Sequence, residues 1–267
     1  MIRIDSLTLA YNERTILDGA SLHLKAGELC ALIGRNGAGK STLIRAITSV
    51  GDVKIEGKPL SALSAEKLAQ SVAIVTTETI RVANLQVRDV VAMGRAPYTN
   101  WVGHLQDIDR QIVDEALDMV GMKEFAERDT STLSDGELQR AMIARAIAQQ
   151  TPIIVLDEPT AMLDPMGRDE VMQTVRRLNK EMGITVVLIT HFMDEAVQAD
   201  RVVVMDDGRI VMQGTPREVF SQVEKLRDCG LDVPQSTELC HTLGLKEGIL
   251  NVDECVDEIS RVLGGAV

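Results

Sequence analysis

The sequence predicts an α/β protein: a parallel sheet core, a smaller antiparallel sheet beside it, and an α-helical subdomain inserted into the chain between two core strands. Three observations predict it. Leu29–Ile33, Val72–Val75, Ile153–Leu156, Ile184–Ile189 and Val202–Met205 are nearly continuous apolar runs rich in β-branched residues, the pattern of strands buried on both faces. Ile2–Leu9 and Ser21–Lys25 instead alternate apolar with polar, as strands with one wet face do. Between Val87 and Gln150, the segments Val87–Met93, Ile108–Val120 and Glu137–Ala148 carry three-and-four apolar spacing, which is helical.

Taken in chain order, the alternating N-terminus leads to the apolar run Leu29–Ile33 and then to Gly34-Arg35-Asn36-Gly37-Ala38-Gly39-Lys40-Ser41-Thr42, which fits GxxxxGK[ST]. Strand, glycine-rich turn and helix start aim successive backbone N–H groups and the positive end of a helix dipole at one point, where a β-phosphate sits. Lys40 then reaches the β- and γ-phosphates, and Ser41 offers a hydroxyl to Mg²⁺. The core is therefore a P-loop NTPase of RecA-like type.

Farther along, Leu133-Ser134-Asp135-Gly136-Glu137 opens the helix that carries Leu138, Ala141, Met142 and Arg145. Ser134 and Glu137 satisfy the S-x-x-E capping box, and Ser134 with Gly136 also makes a second anion site at a helix N-terminus. Both readings can hold. One nucleotide has a single γ-phosphate, already cradled by the first loop, so the second site implies a nucleotide supplied by another subunit. Ile153–Leu156 ends in Asp157 and Glu158, at the strand end where an open α/β sheet presents ligands. Asp157 would hold Mg²⁺ directly or through water, and Glu158 is placed to orient or deprotonate the water attacking the γ-phosphate. Asp206-Asp207-Gly208-Arg209 marks a hairpin, and a helix is expected at Val252–Leu263 in an appendix beyond Phe220.

Composition narrows the function classes. Net charge is −12, from 28 Lys and Arg against 40 Asp and Glu, so a surface that tracks phosphate backbones is not expected, nor is nucleic acid as a partner. No apolar run approaches the roughly 20 residues that span a bilayer, and the N-terminus alternates like a strand and not like a signal peptide, so the expectation is a soluble cytosolic chain. Cys30, Cys229, Cys240 and Cys255 show no CxxC spacing, which suits reduced thiols and gives no zinc site. Aromatics are 2% of the chain, so Tyr11 is informative where it stands.

In this order and spacing the residues resemble the ATP-binding subunits of ABC transporters, from about Ile2 to Phe220. GRNGAGKST is similar to Walker A, LSDGE to the signature, IIVLDE to Walker B, Ala161-Met162-Leu163-Asp164 to the D-loop, and His191 to the switch histidine. The resemblance implies that Tyr11 stacks on adenine, that His191 contacts the γ-phosphate, and that Asp164 bridges to a partner's P-loop. It implies a head-to-tail pair of ATPase subunits, homo- or heterodimeric, each ATP lying between one P-loop and the other subunit's signature (Ser134, Gly136, Glu137). It further implies an ATP hydrolase requiring Mg²⁺, bound peripherally at the cytoplasmic face of the membrane to permease subunits, with an extracytoplasmic solute-binding protein in the same system.

Two positions depart from the family pattern. The signature commonly reads LSGGQ, whereas Asp135 and Glu137 stand here, and the loop after Val75 usually carries a glutamine where Thr76-Thr77-Glu78 stands. Glu78, ahead of the alternative Thr77, is expected to replace that glutamine near the metal, since Mg²⁺ takes hard oxygen ligands.

The ATP-binding domain is expected over residues 1–220, with the helical insertion at about 80–150 and the appendix at 221–267. Val87–Tyr98 is similar to importers of ferric siderophores, haem and cobalamin. Gly230–Leu239 instead resembles energy-coupling-factor ATPases for vitamin and cobalt or nickel uptake. With the helical segment weighted above the tail, the expected function is an importer of an iron chelate, haem or cobalamin. The alternatives are the energy-coupling branch and a soluble non-transport ABC ATPase.

Overall fold

A computed structural model describes residues 2–12, 14–49, 53–55, 57–76, 83–99 and 103–264. The described elements begin with strands β1 (Ile2–Tyr11), β2 (Arg14–Leu24) and β3 (Leu29–Gly34), then helix α1 (Lys40–Ser49), the short strands β4 (Lys54–Ile55) and β5 (Lys58–Pro59), helix α2 (Ala65–Ala69) and strand β6 (Val72–Val75). Helices α3 (Val87–Ala92), α4 (Asp107–Met119) and α5 (Asp135–Ala148) follow, and then β7 (Ile153–Asp157), α6 (Pro165–Lys180), β8 (Thr185–Ile189) and α7 (Met193–Ala196). The chain continues through β9 (Arg201–Asp206), β10 (Arg209–Gly214), α8 (Pro216–Phe220), α9 (Val223–Asp228), α10 (Gln235–Thr242) and α11 (Val252–Gly264). All five apolar runs are strands, and the three helical stretches and the C-terminal helix lie within a residue or two of their expected bounds.

The chain divides into two compact units. The first comprises Met1–Ile4, Leu22–Glu28 and Ile44–Leu188. Here β6 and β7 pair in parallel, Val72 against Ile153 through Val75 against Leu156. The antiparallel component pairs Ile2 with Ile55 and Lys54 with Pro59. Every residue of β8 is buried, and the turn ahead of β3 is stitched to it. The Gly27 amide donates to Thr185 Oγ1 at 3.0 Å, and the Asn179 side-chain amide donates to the Gly27 and Ile184 carbonyls at 2.9 and 3.0 Å.

Helices α3, α4 and α5 pack on one another in this unit, and the 3₁₀ turn Met93–Tyr98 locks them. Arg95 is buried and pairs with buried Asp109 at 2.9 Å. Its guanidinium also donates to the Ala148 carbonyl at 2.8 Å and lies 4.0 Å from the Tyr98 ring centroid. Gly94 is needed here because a Cβ would stand 2.2 Å from the Arg145 carbonyl oxygen. Tyr98 donates its hydroxyl to the Gln149 carbonyl at 3.0 Å. This turn is thus a packing device that ties α4 and α5 together.

The second unit comprises Asp5–Ser21, Leu29–Leu43 and Ile189–Val267, so residues beyond 220 share a unit with the glycine-rich loop. β3 and β9 pair in parallel from Cys30 against Arg201 to Gly34 against Met205. β9 turns into β10 at the expected hairpin, where Asp207 and Gly208 have φ of 42° and 76°, the left-handed pair that a tight hairpin requires. α8 buries Phe220 completely, and α10 packs on α11 through buried Cys240, Ile249 and Cys255.

Removing Arg95 leaves Asp109 buried without its partner, so Arg95→Ala should lower stability by about 3–5 kcal/mol in denaturant unfolding. Burial acts against the Asp109 charge, but the Gln106 amide and the Arg95 guanidinium outweigh it and hold the carboxyl below the usual carboxylate range. A depressed carboxylate stabilises fully above its unfolded pKa, and that stability is lost as pH falls through the folded value. The gap between wild type and Arg95→Ala should therefore narrow in acid, and a gap that stays constant there would argue against a charge-based role.

Candidate functional site

All six residues of β3 are buried, and the strand delivers the chain into the loop Gly34–Gly39 at the start of α1. At Gly34 and Gly39 the loop approaches its neighbours too closely for a side chain. A Cβ on Gly34 would lie 2.4 Å from the Met205 carbonyl oxygen, and one on Gly39, at φ 98°, would lie 2.9 Å from Leu17 and 3.0 Å from the Ile16 carbonyl oxygen. The Ala38 amide donates to the Arg35 carbonyl at 3.1 Å, and the Leu43 amide to Gly39 at 2.8 Å, which starts the helix. Lys40 is 5% exposed and folds back over the loop, donating Nζ to the Gly34 and Arg35 carbonyls at 2.7 and 3.0 Å. Arg35, Asn36 and Gly37 are exposed along the loop crest, and Ser41 and Thr42 are half-buried in the first turn of α1.

The β9–β10 hairpin supports this loop from behind. The Gly208 amide donates to the Ala38 carbonyl at 3.1 Å, and the Gly208 carbonyl accepts from Asp18 at 3.0 Å. Arg209 forms an ion pair with Asp18 beside them. A Cβ on Gly208 would stand 2.4 Å from the Ile16 carbonyl oxygen.

Two more expected residues lie in the same unit. Tyr11 ends β1 with its side chain 74% exposed, free to present a ring face. His191 is exposed just past β8, in a loop braced by the Thr190 hydroxyl, which donates to Glu195 at 2.5 Å and accepts from the Phe192 amide at 3.0 Å. His191 lines a cleft of about 680 Å³ whose other wall comes from residues 227–242.

The remaining expected residues belong to the first unit. Asp157 closes β7 half-buried, and Glu158 follows with φ 51°, a left-handed backbone that a non-glycine residue holds only when its surroundings impose it. Asp164 caps α6, its carboxylate accepting from the Gly167 amide at 2.8 Å. Ser134 caps α5 in a complete capping box. Its Oγ accepts from the Glu137 amide at 3.2 Å, and the Glu137 carboxylate accepts from the Ser134 amide at 2.8 Å. That amide first, then Arg128 and Arg140, hold the Glu137 carboxyl below the usual carboxylate range. The Glu137 carboxylate is thus engaged within the helix cap. A Cβ on Gly136 would stand 3.7 Å from Leu163 Cδ2, so the start of α5 and the turn ahead of α6 are neighbours. Thr77 and Glu78 lie outside the described residues.

Ser41 and Asp157 present hard oxygen donors of the class Mg²⁺ prefers. No group of three or more His, Cys, Asp or Glu among the described residues could hold a metal. No helix among the described residues is long and apolar enough to cross a membrane.

The comparisons with known proteins agree on the family. The family described as ABC transporter matches residues 17–161. The chain is 40% identical over 281 aligned residues to the energy-coupling factor transporter ATP-binding protein EcfA1 of Clostridium perfringens, spanning 98% of this chain and 98% of that protein. It is 37% identical over 226 residues to the petrobactin import ATP-binding protein FpuC of Bacillus anthracis, spanning 82% and 83%. The solved structure of cbiO1 from Clostridium perfringens, described as part of the ABC transporter complex cbiONQ, is similar with a TM-score of 0.74 and 31% identity, over 91% of this chain and 98% of that one.

Gly208→Ala should lower nucleotide affinity by about tenfold or more while leaving the far-ultraviolet circular dichroism intact, since it moves the support of the loop and replaces no residue of the loop itself. Titration with a fluorescent ATP analogue checks it; wild-type affinity would show that the hairpin does not shape the loop.

Proposed function

The chain belongs to the ABC transporter family as an ATP-binding, ATP-hydrolysing subunit, and from that premise we propose that it powers an energy-coupling-factor importer for a vitamin or for cobalt or nickel. The observation that carries this reading is coverage: similarity to an energy-coupling factor ATPase runs through 98% of both chains, whereas similarity to the petrobactin importer ATPase covers 82% of this one. The expectation from sequence ranked the siderophore, haem and cobalamin branch first, on the strength of Val87–Tyr98. The findings favour the alternative, and there is a physical reason. Gly94, Arg95 and Tyr98, prominent in that segment, are engaged with α4, α5 and the chain just after α5, so their presence reports packing in a helical subdomain and not the transported solute.

In this reading the loop amides and Lys40 hold the β- and γ-phosphates, Tyr11 stacks on adenine, and Ser41 and Asp157, with Glu78, hold Mg²⁺. Bound there, the ion neutralises phosphate charge, which phosphoryl transfer needs more than covalent help. Glu158 orients and deprotonates the attacking water, and His191 contacts the γ-phosphate. Ser134, Gly136 and Glu137 face the nucleotide of a second ATPase subunit, with Asp164 bridging to that partner. The complex sits peripherally on permease subunits at the cytoplasmic face of the membrane. An extracytoplasmic solute-binding protein draws no support from the energy-coupling relatives and is not part of this proposal.

Glu158→Gln keeps the side chain's shape and removes its charge, so it should retain ATP and lose turnover, accumulating as an ATP-bound dimer on sizing columns. Hydrolysis at the wild-type rate would remove Glu158 from its role. Lys40→Ala should instead lose affinity itself in calorimetry. Mixing Ser134→Arg with Lys40→Ala subunits should recover activity through one intact composite site, and a mixture no more active than its parts would count against shared sites. For the branch, vesicles carrying the chain with an energy-coupling permease should accumulate labelled vitamin or nickel upon ATP loading. Uptake only when the chain is paired with a siderophore permease would reverse the assignment.

A further inference from the structure

Helices α9 and α10 end in the same way. At α9 the Gly230 amide donates to Arg227 at 2.8 Å and the Leu231 amide to Leu226 at 2.9 Å, with Leu226 and Leu231 both buried. At α10 the Gly244 amide donates to His241 at 3.0 Å and the Leu245 amide to Cys240 at 2.9 Å. Both are the helix stop in which a left-handed residue turns the chain, and φ is 66° at Gly230 and 64° at Gly244. Their surroundings differ. A Cβ on Gly244 meets nothing within 4 Å, whereas one on Gly230 would stand 2.8 Å from Arg35 Cδ and 3.1 Å from Arg35 Nε.

The side chain seated on Gly230 therefore belongs to the nucleotide loop. The Arg35 carbonyl accepts from Lys40 Nζ at 3.0 Å and from the Ala38 amide at 3.1 Å, so a displacement of Arg35 moves an anchor of the buried ammonium. A second, independent observation brings the appendix to another part of the same unit. The segment from Arg227 to Thr242 walls the cleft opposite His191–Asp194, bringing Arg227, Asp232 and Glu238 to the switch histidine's side.

We propose that the C-terminal appendix is part of the nucleotide machinery, with Gly230 as the positioning residue that seats Arg35 and, through its carbonyl, Lys40. This rests on the reading of Lys40 as the phosphate-holding lysine. Tail and loop are then thermodynamically coupled: whatever moves the turn at Gly230 changes ATP affinity, and ATP binding biases the turn in return.

The matched turns supply the experiment. Asparagine tolerates a left-handed backbone, so Gly230→Asn and Gly244→Asn carry the same local strain and differ in what the new side chain meets. In the full chain assembled with its permease, Gly230→Asn should raise KM for ATP roughly five- to tenfold with kcat little changed, and Gly244→Asn should change neither. In an Arg35→Ala background, Gly230→Asn should add nothing further, which is the signature of coupling through Arg35. Gly230→Ala adds only the Cβ and serves if the asparagine variant melts early. Equal behaviour of the Gly230 and Gly244 variants, or a KM effect that persists without Arg35, overturns the proposal. If Lys40→Ala abolishes ATP binding while Gly230 variants are silent, this inference alone fails; if Lys40→Ala binds normally, the reading beneath it fails too.

Discussion

A buried ammonium group is expensive unless every direction it points is answered, and Lys40 sets that demand at the centre of its unit. Its answer includes the carbonyls of Gly34 and Arg35, which fixes the path of the loop. That path runs so close to Met205, Leu17 and Ile16 that Gly34 and Gly39 can carry no side chain. The neighbours must in turn stay put, and the parallel pairing of β3 with β9 and the hairpin tip at Gly208 hold them there. The GxxxxGK motif is thus the visible part of a larger arrangement whose other members are scattered along the chain.

What could be read from the sequence was what local chemistry determines. Continuous apolar runs marked the core strands because burial on both faces leaves no room for alternation, and Asp206–Arg209 marked a hairpin because Asp-Gly accommodates left-handed backbone. The capping box of Ser134 and Glu137 was also legible, since both partners lie within one turn. As that box requires, the Glu137 carboxylate accepts from the Ser134 amide.

What could not be read depends on residues distant in sequence. Nothing local marks Arg95 as buried against Asp109, and its segment was read by its likeness to one importer branch. Nothing local marks Glu158 as left-handed; asparagine or glycine would have signalled it. Nothing local marks the appendix at 221–267 as sharing a compact unit with the loop at residues 34–42. Such features leave traces only in pairs of positions, and one sequence displays each position alone.

The tie between Gly208 and Ala38 also has a consequence in time. The two residues are about 170 positions apart, and ribosomes add about 5–20 residues per second, so on the order of ten to thirty seconds pass between synthesis of the loop and synthesis of its support. Throughout that interval the nascent chain carries the complete phosphate-binding motif without the β9 strand or the hairpin that shape it. Competence for nucleotide therefore arrives late, with the last third of the polypeptide, and a chain interrupted before residue 208 is released as a bearer of the motif that lacks the means to hold it in form.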